Sequence, residues 1–223
     1  GDHRDLHLSI RRQRQMCIRD RLYDYVASQI PMKDGEILEV GSGRGGGSSF
    51  VSRYHHPKSI TGVDYSKSAI KLSNELHGNV DNLFFKLGDA EDLPFKDNTF
   101  DAVINIESSH CYGNMKRFLS EVSRVIKPGG YFGWADLRAK DMVEETEFAF
   151  EKSNLTCIHN KTITPEVIDA LDDIHDVKMT MITNHVPKFL QSAFTDFAGA
   201  KNSKIYNSFK SGNAVYLSKV LKK

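Results

Sequence analysis

Cysteine is scarce in this 223-residue chain and scattered where it occurs: Cys17, Cys111 and Cys157 form no C-x-x-C pair. Separated thiols argue against a disulfide framework and a zinc site, and set a reducing compartment as the expectation. Long apolar runs are also missing. None approaches the roughly 18 residues of a membrane-spanning helix, and no signal-peptide core is present, so the chain is expected in the cytoplasm without stable membrane insertion. Net charge is only +1. The first 21 residues carry +3 and the remainder −2, so the body has no basic footprint for nucleic acid. With 39% hydrophobic and 26% charged residues the chain can bury one good core, and a single domain is expected over residues 22–223.

Residues 1–21 stand apart from that body. The run from Arg11 to Arg21 has no apolar periodicity to bury, and the segment is expected to be a non-native or disordered arm. A basic arm for an acidic partner is its alternative.

What is present centres on Glu36 to Gly47. Ile37, Leu38 and Val40 form an apolar run broken by Glu39, and Gly41, Gly43 and Gly46 follow, with Ser42 between the first two. Such a run into glycines reads as a buried parallel strand ending in a turn that a ligand approaches closely, with Ser48, Phe50 and Val51 opening a helix. The glycines also satisfy G-x-G-x-x-G, which alone fits a dinucleotide site or a plain surface turn. Glu39 separates the readings. A carboxylate there repels a pyrophosphate and attracts a cationic cofactor end, such as the amino group of a methionine moiety. The stretch points to S-adenosylmethionine (SAM) rather than NAD.

The rest of the chain supplies landmarks around that turn. Leu22, Tyr25, Val26 and Ile30 fall at helical spacing ahead of it. A second strand, Ser59 to Asp64, ends in an acid placed to accept hydrogen bonds from both ribose hydroxyls of an adenosine, followed by Tyr65; a helix cap is the alternative for Asp64. A third strand, Leu83 to Leu87, leads to Asp89 and Ala90, candidates for an adenine amino group and ring nitrogen. Phe100 to Ile106 makes a fourth strand, and Ile106 and Glu107 complete the candidate cofactor edge. Phe118, Leu119, Val122, Val125 and Ile126 predict a helix stopped by Lys127 to Gly130, and Tyr131 to Ala135 a fifth strand with Asp136 at its tip.

Beyond Arg138 the pattern loosens. A helix from Met142 to Phe150, a strand near Leu155 to Ile163, a helix from Pro165, a helical stretch from Val186 to Ala198 and a terminal strand from Ala214 to Leu221 are expected. The helical insertion before the last strand is expected as a cap over the carboxyl edge of the sheet, with Phe189, Leu190, Phe194 and Phe197 as ordinary packing.

In their order and spacing, the acid-glycine turn, the acid after the second strand, Gly88-Asp89-Ala90 and Lys127 to Gly130 resemble the class I SAM-dependent methyltransferases. The resemblance implies an α/β, Rossmann-like sheet of strand order 3-2-1-4-5-7-6, the last strand antiparallel, with helices on both faces. A narrower one rests on Glu107 to Tyr112, Gly130 to Arg138, Ile163 to Pro165, Phe197 to Gly199 and Ser211-Gly212. These are similar to actinobacterial O-methyltransferases acting on the hydroxyl of phthiotriol and phenolphthiotriol lipids, and to relatives that modify polyketides. They imply an apolar small-molecule acceptor carrying a hydroxyl. That family has a longer segment before the first strand, forming a lid, where only Leu22 to Asp34 stand here behind the arm.

An alcohol acceptor needs a base. His110, just past the fourth strand, titrates in the right range, and Asp136 at the neighbouring tip is placed to orient its imidazole. An ordinary loop histidine and a helix-capping acid are the alternatives. Tyr112 and Trp134 are candidates for the acceptor pocket. Methyl transfer needs no covalent enzyme intermediate, so Cys111 reads as small packing, and the remaining histidines have no ligand spacing, so no metal is expected. Transfer to nitrogen or carbon, a non-catalytic SAM-binding module and an NAD-dependent dehydrogenase are the competing readings, and Glu39 with Gly88 to Ala90 stands against the last.

Overall fold

The computed structural model describes residues 18–223, so residues 1–17 of the expected arm lie outside the described residues. In chain order the elements are α1 (Ile18–Ala27), β1 (Glu36–Val40), α2 (Gly46–Tyr54), β2 (Ser59–Asp64), α3 (Lys67–His77), β3 (Leu83–Leu87), β4 (Phe100–Ile106), α4 (Met115–Val125), β5 (Ile126–Ala139), α5 (Val143–Glu151), β6 (Thr156–Thr162), α6 (Thr164–Asp173), α7 (His175–His185), α8 (Gln191–Phe197), α9 (Lys204–Ser211) and β7 (Ala214–Lys222). Seven strands form one sheet in the order β3-β2-β1-β4-β5-β7-β6, as the sequence landmarks imply. The first five run parallel, and β7 is antiparallel to both β5 and β6.

Alternation along the strands feeds two cores, one on each face. Ile37, Ile104, Ile106, Ala135 and Tyr216 pack with Val26 of α1, with Ile30 just past its end, and with Ile168, Leu171 and Phe209 of the insertion. Leu38, Val103, Phe132, Trp134 and Leu217 pack on the opposite face with α4 and α5. α4 shows why its residues form a helix. Phe118, Leu119, Val122 and Val125 recur at i, i+1, i+4 and i+7 and are all fully buried, each contributing about 1.5–3 kcal/mol. The Asn114 side chain caps it by accepting from the Arg117 N–H at 3.0 Å.

Several boundaries differ from the sequence reading. α1 begins at Ile18, ahead of the expected Leu22. β5 is far longer than Tyr131 to Ala135: it starts at Ile126, which pairs with Phe100, and runs past Asp136 because β7 pairs with it as far as Ala139. Asp136 therefore lies inside a strand rather than at its tip. The insertion holds two helices absent from the sequence reading, α7 and α9. α7 has no apolar stripe; Val177 and Met181 are exposed and Ile182 is its one buried residue among those described. Phe189, Leu190 and Phe194, expected as packing, are exposed, Phe189 at 83%, and the side chain of Phe197, the fourth of that expectation, lies outside the described residues.

Candidate active site

The turn after β1 is built from backbone. Gly41 N–H and Ser42 N–H both donate to the Val63 carbonyl, at 2.8 and 3.0 Å, which folds the turn over the end of β2. Gly41 and Gly43 sit at φ +78° and +54°, where a side chain is strained. Their surroundings differ. A Cβ on Gly41 would stand 1.8 Å from the Ser108 hydroxyl, whereas one on Gly43 would meet nothing within 4 Å. The turn is thus closed against β4 at Gly41 and open at Gly43.

Asp64 joins this turn from the end of β2. Its carboxylate accepts from Gly43 N–H at 2.8 Å and Ser66 N–H at 2.9 Å, leaving further lone pairs toward solvent. Ser66, not Asp64, caps α3, its side chain accepting from Ala69 N–H. Tyr65 beside it is 79% exposed. Asp89 is exposed and accepts from Glu91 N–H at 2.9 Å, with Ala90 packed against the core next to it. The Ser42 hydroxyl is buried without a hydrogen-bond partner among the described residues. Open space at Gly43, spare acceptor capacity at Asp64 and an orphaned hydroxyl on Ser42 fit a nucleoside-bearing cofactor lying along this edge.

Glu39 lies inside β1, before the turn. It is fully buried, and its two carboxylate oxygens accept from the Tyr23 hydroxyl of α1 and the Ser48 hydroxyl of α2. A carboxylate in a central strand must find donors inside the protein, and these two supply them. Tyr23 reaches it because Gly47 has no side chain, a Cβ there standing 1.9 Å from the Tyr23 ring.

The strongest cluster lies past β4. His110 Nδ1 and Asp136 Oδ1 are 2.7 Å apart, and the second Asp136 oxygen accepts from His110 N–H at 2.8 Å and the Ser109 hydroxyl at 2.7 Å. Ser109 in turn accepts from the Trp134 indole N–H and from Arg138 Nη2, both at 2.8 Å, so one buried hydroxyl is saturated. The Arg138 guanidinium is buried, 3.0 Å from Asp136, and also donates to Thr146. Asp136 is fully buried, which by itself would raise its pKa, yet its hydrogen bond from His110 and the Arg138 charge hold it below the usual carboxylate value. It is ionised at neutral pH. The His110 pKa is raised, first by its hydrogen bond to Asp136, with partial burial working against it. An ionised partner at Nδ1 fixes the neutral ring with its proton there and leaves Nε2 free to accept another.

The structure thus brings His110 and Asp136 together, and the cofactor candidates Gly41, Ser42, Gly43 and Asp64 into one turn. It does not place Trp134 on a pocket wall: the indole is fully buried, packed edge-on against Phe150 with ring centroids 4.9 Å apart. Strand alternation puts Trp134, Asp136 and Arg138 on the same inward face. Tyr112 bridges instead of lining, its hydroxyl 2.7 Å from Ser108 and 2.9 Å from the Asn105 amide, with burial pushing its pKa up. Cys111, expected as packing, is exposed. Ser109 and Arg138 were not legible as site residues; the one sequence signal was the period-two spacing of Trp134, Asp136 and Arg138. Among the described residues, no group of three or more His, Cys, Asp or Glu could hold a metal ion, and no helix is long and apolar enough to cross a membrane.

A cavity of about 660 Å³ lies under the insertion, and Glu107 and Leu137, neighbours in sequence of the cluster, line it while the cluster's own residues do not. Its apolar walls include Leu22 and Tyr25 of α1, Leu137 of β5, Val167 and Leu171 of α6 and Phe209 of α9, and Glu107, Tyr216, Asp169 and Lys178 are among its polar lining. Glu107 holds φ +52°, an uncommon conformation for a non-glycine residue and one that collects at ligand sites.

A central parallel sheet with a glycine turn after β1, an acid closing β2 and a polar cluster past β4 defines a class I methyltransferase. Residues 38–133 match the family described as a methyltransferase domain. Over 195 residues the chain is 39% identical to phthiotriol/phenolphthiotriol dimycocerosates methyltransferase of Mycobacterium leprae, covering 87% of this chain and 72% of that one. It belongs to that family of SAM-dependent methyltransferases. A fatty-acid O-methyltransferase of Mycolicibacterium smegmatis is 36% identical, over 82% of this chain and 66% of its own. Among solved structures, geranyl diphosphate C-methyltransferase of Streptomyces coelicolor A3(2), crystallised with S-adenosyl-L-homocysteine, superposes with a TM-score of 0.71 at 16% identity, over 92% of this chain and 80% of that chain, which shows the shared fold.

Proposed function

We propose that the chain moves a methyl group from SAM to a hydroxyl of an apolar small molecule, a lipid or polyketide-like secondary metabolite, in the cytoplasm, with His110 as general base. The observation that carries this is the His110–Asp136 pair at 2.7 Å, with a largely apolar cavity lined from the same two segments by Glu107 and Leu137. The relatives' names support a lipid-type acceptor: one is named for phthiotriol and phenolphthiotriol dimycocerosates, another for fatty acids.

Bound SAM supplies an electrophilic methyl group on a sulfonium. Gly41, Ser42, Gly43, Asp64 and Tyr65 hold the cofactor along the turn, Asp89 and Ala90 take its base, and Ile106 and Glu107 close the edge toward the acceptor. Glu39 adds its negative charge from beneath the turn, through its tie to Tyr23 and Ser48. His110 Nε2 takes the acceptor's hydroxyl proton as the oxygen becomes nucleophilic, and the buried Asp136 carboxylate stabilises the imidazolium that results. Arg138 is a positioning residue: it keeps Asp136 ionised without touching the acceptor.

The test is product analysis with methyl-labelled SAM and a panel of long-chain alcohols, phenols, amines and carboxylic acids. Labelled methyl ethers formed by the parent, and lost in His110→Ala, are the expected result. Labelled amines or esters with no ether, or an unchanged ether yield in the variant, would overturn the reading.

A further inference from the structure

Helices α7 and α8 form a hairpin. Lys178, near the start of α7, donates from Nζ to the Ala198 carbonyl just past α8 at 2.5 Å, and the two helices are in contact. Between them the chain turns through Pro187 to Leu190, closed by a 2.9 Å hydrogen bond from the Leu190 N–H to the Pro187 carbonyl. The foot of the hairpin, Lys178 with Ala198 and Gly199, lines the cavity. The turn is its tip, about 15 Å away along α7.

This hairpin is apolar where it is exposed. Phe189 at the tip is 83% exposed, Leu190 and Phe194 follow it, and Val177 and Met181 stand one turn apart on α7. Five of the thirteen exposed large apolar residues among those described thus fall between positions 177 and 194. Single exposed apolar residues are ordinary, whereas a concentration of them marks an interaction surface.

Charge and shape identify the occupant. From Val177 to Thr195 the sequence has no Asp or Glu, and Lys188 is exposed beside Phe189. Of the acids ahead of the hairpin, Asp172 pairs with Lys201 at 3.7 Å and Asp173 with Arg21 at 3.1 Å. Aromatic and aliphatic side chains at a projecting tip can enter the headgroup boundary of a bilayer without desolvating a carboxylate, and a lysine at their edge attracts anionic lipid.

We infer that the α7–α8 hairpin docks the protein on an anionic bilayer surface, with Phe189, Leu190 and Phe194 entering the acyl boundary and Lys188 held at the lipid phosphates. The attachment is peripheral, since no helix among the described residues is long and apolar enough to cross. The same hairpin walls the cavity, so docking brings that cavity within a helix length of lipid. This inference goes beyond the transfer reaction and is tested without SAM, so either can fail alone.

The test is co-sedimentation of the full chain with phosphatidylcholine vesicles, with and without phosphatidylglycerol. The parent should bind the mixed vesicles about 5-fold more tightly, the effect of one lysine at the surface, and Lys188→Gln should remove that gain. The double variant Phe189→Ser with Phe194→Ser should bind both vesicles at least about 10-fold more weakly. Phe84→Ser, at an exposed aromatic on β3, should bind as the parent does. In Phe189→Trp, brominated lipid should quench the new indole, while the buried Trp134 is unaffected. No sedimentation of the parent, no gain from phosphatidylglycerol, undiminished binding by the double variant, equal loss in Phe84→Ser, or an unquenched indole would overturn the inference. A lipid-free dimer that the double variant abolishes would also overturn it, since the face would then be covered by a second copy.

Discussion

The two halves of the sheet's carboxyl edge are made differently. On the β1–β2 side the site is backbone and short-range sequence: a glycine turn tied to Val63, and an aspartate that accepts from the turn and from the residue two places on. On the β4–β5 side it is side chains from distant segments, with Ser109, His110, Trp134, Asp136 and Arg138 sharing one buried network. The first half is rigid with few charges, and a new side chain disturbs it by blocking space. The second holds a buried ion pair and a histidine, and is disturbed by unbalancing charge.

Removing the cation should produce the largest effect on stability. Arg138→Leu leaves Asp136 buried without its guanidinium, and urea denaturation should show a loss of about 3 kcal/mol. A change under about 1 kcal/mol, the range of a surface ion pair, would mean that His110 and the backbone donors suffice. His110→Ala should cost catalysis rather than folding, at least about 100-fold in kcat, with SAM affinity retained. Gly43→Ala sharpens the contrast from the other side. Positive φ makes it cost only about 1 kcal/mol in stability, since nothing within 4 Å meets the new Cβ, while SAM affinity should fall as that Cβ enters the open turn. Stability loss without weaker SAM binding would show that Gly43 does not face the cofactor.

The smallest effect is a shift in pH dependence. Only neutral imidazole acts as a base, so kcat/KM should rise with pH through a value above the ordinary histidine pKa of about 6.5, and Asp136→Asn should move that limb to lower pH. A limb that stays in place would separate Asp136 from the titration. Stability carries the linked signs. The raised His110 pKa contributes fully below its unfolded value and is lost as pH rises through the folded one. The lowered Asp136 pKa contributes above its unfolded value and is lost as pH falls through the folded one.

The same difference explains how far the sequence could be read. The turn and its flanking strands were legible because Ile37 to Gly47 and Ser59 to Asp64 carry their signals within a few residues, and the strand order followed from the family resemblance of those landmarks. Pairing of His110 with Asp136 was legible as two strand ends meeting, although Asp136 sits within β5, whose length β7 sets from 75 to 81 residues away in sequence through the Ala139–Ala214 and Asp136–Leu217 pairs. Trp134 looked like a ligand wall because an aromatic after a glycine does not announce which face it will occupy. Arg138 marked only the point where the pattern loosens, and the packed structure shows its charge buried against Asp136. α7 escaped notice because it has no apolar stripe, its fold coming from contacts with α8 and α6.

The most direct test of the account is a calorimetric titration of SAM into the parent chain, Asp64→Ala and His110→Ala in one series. The parent and His110→Ala should bind alike, while Asp64→Ala should lose roughly 2–4 kcal/mol, the worth of two charge-assisted hydrogen bonds from the ribose. A folded parent that binds no SAM, or an Asp64→Ala variant that binds as well as the parent, would contradict it.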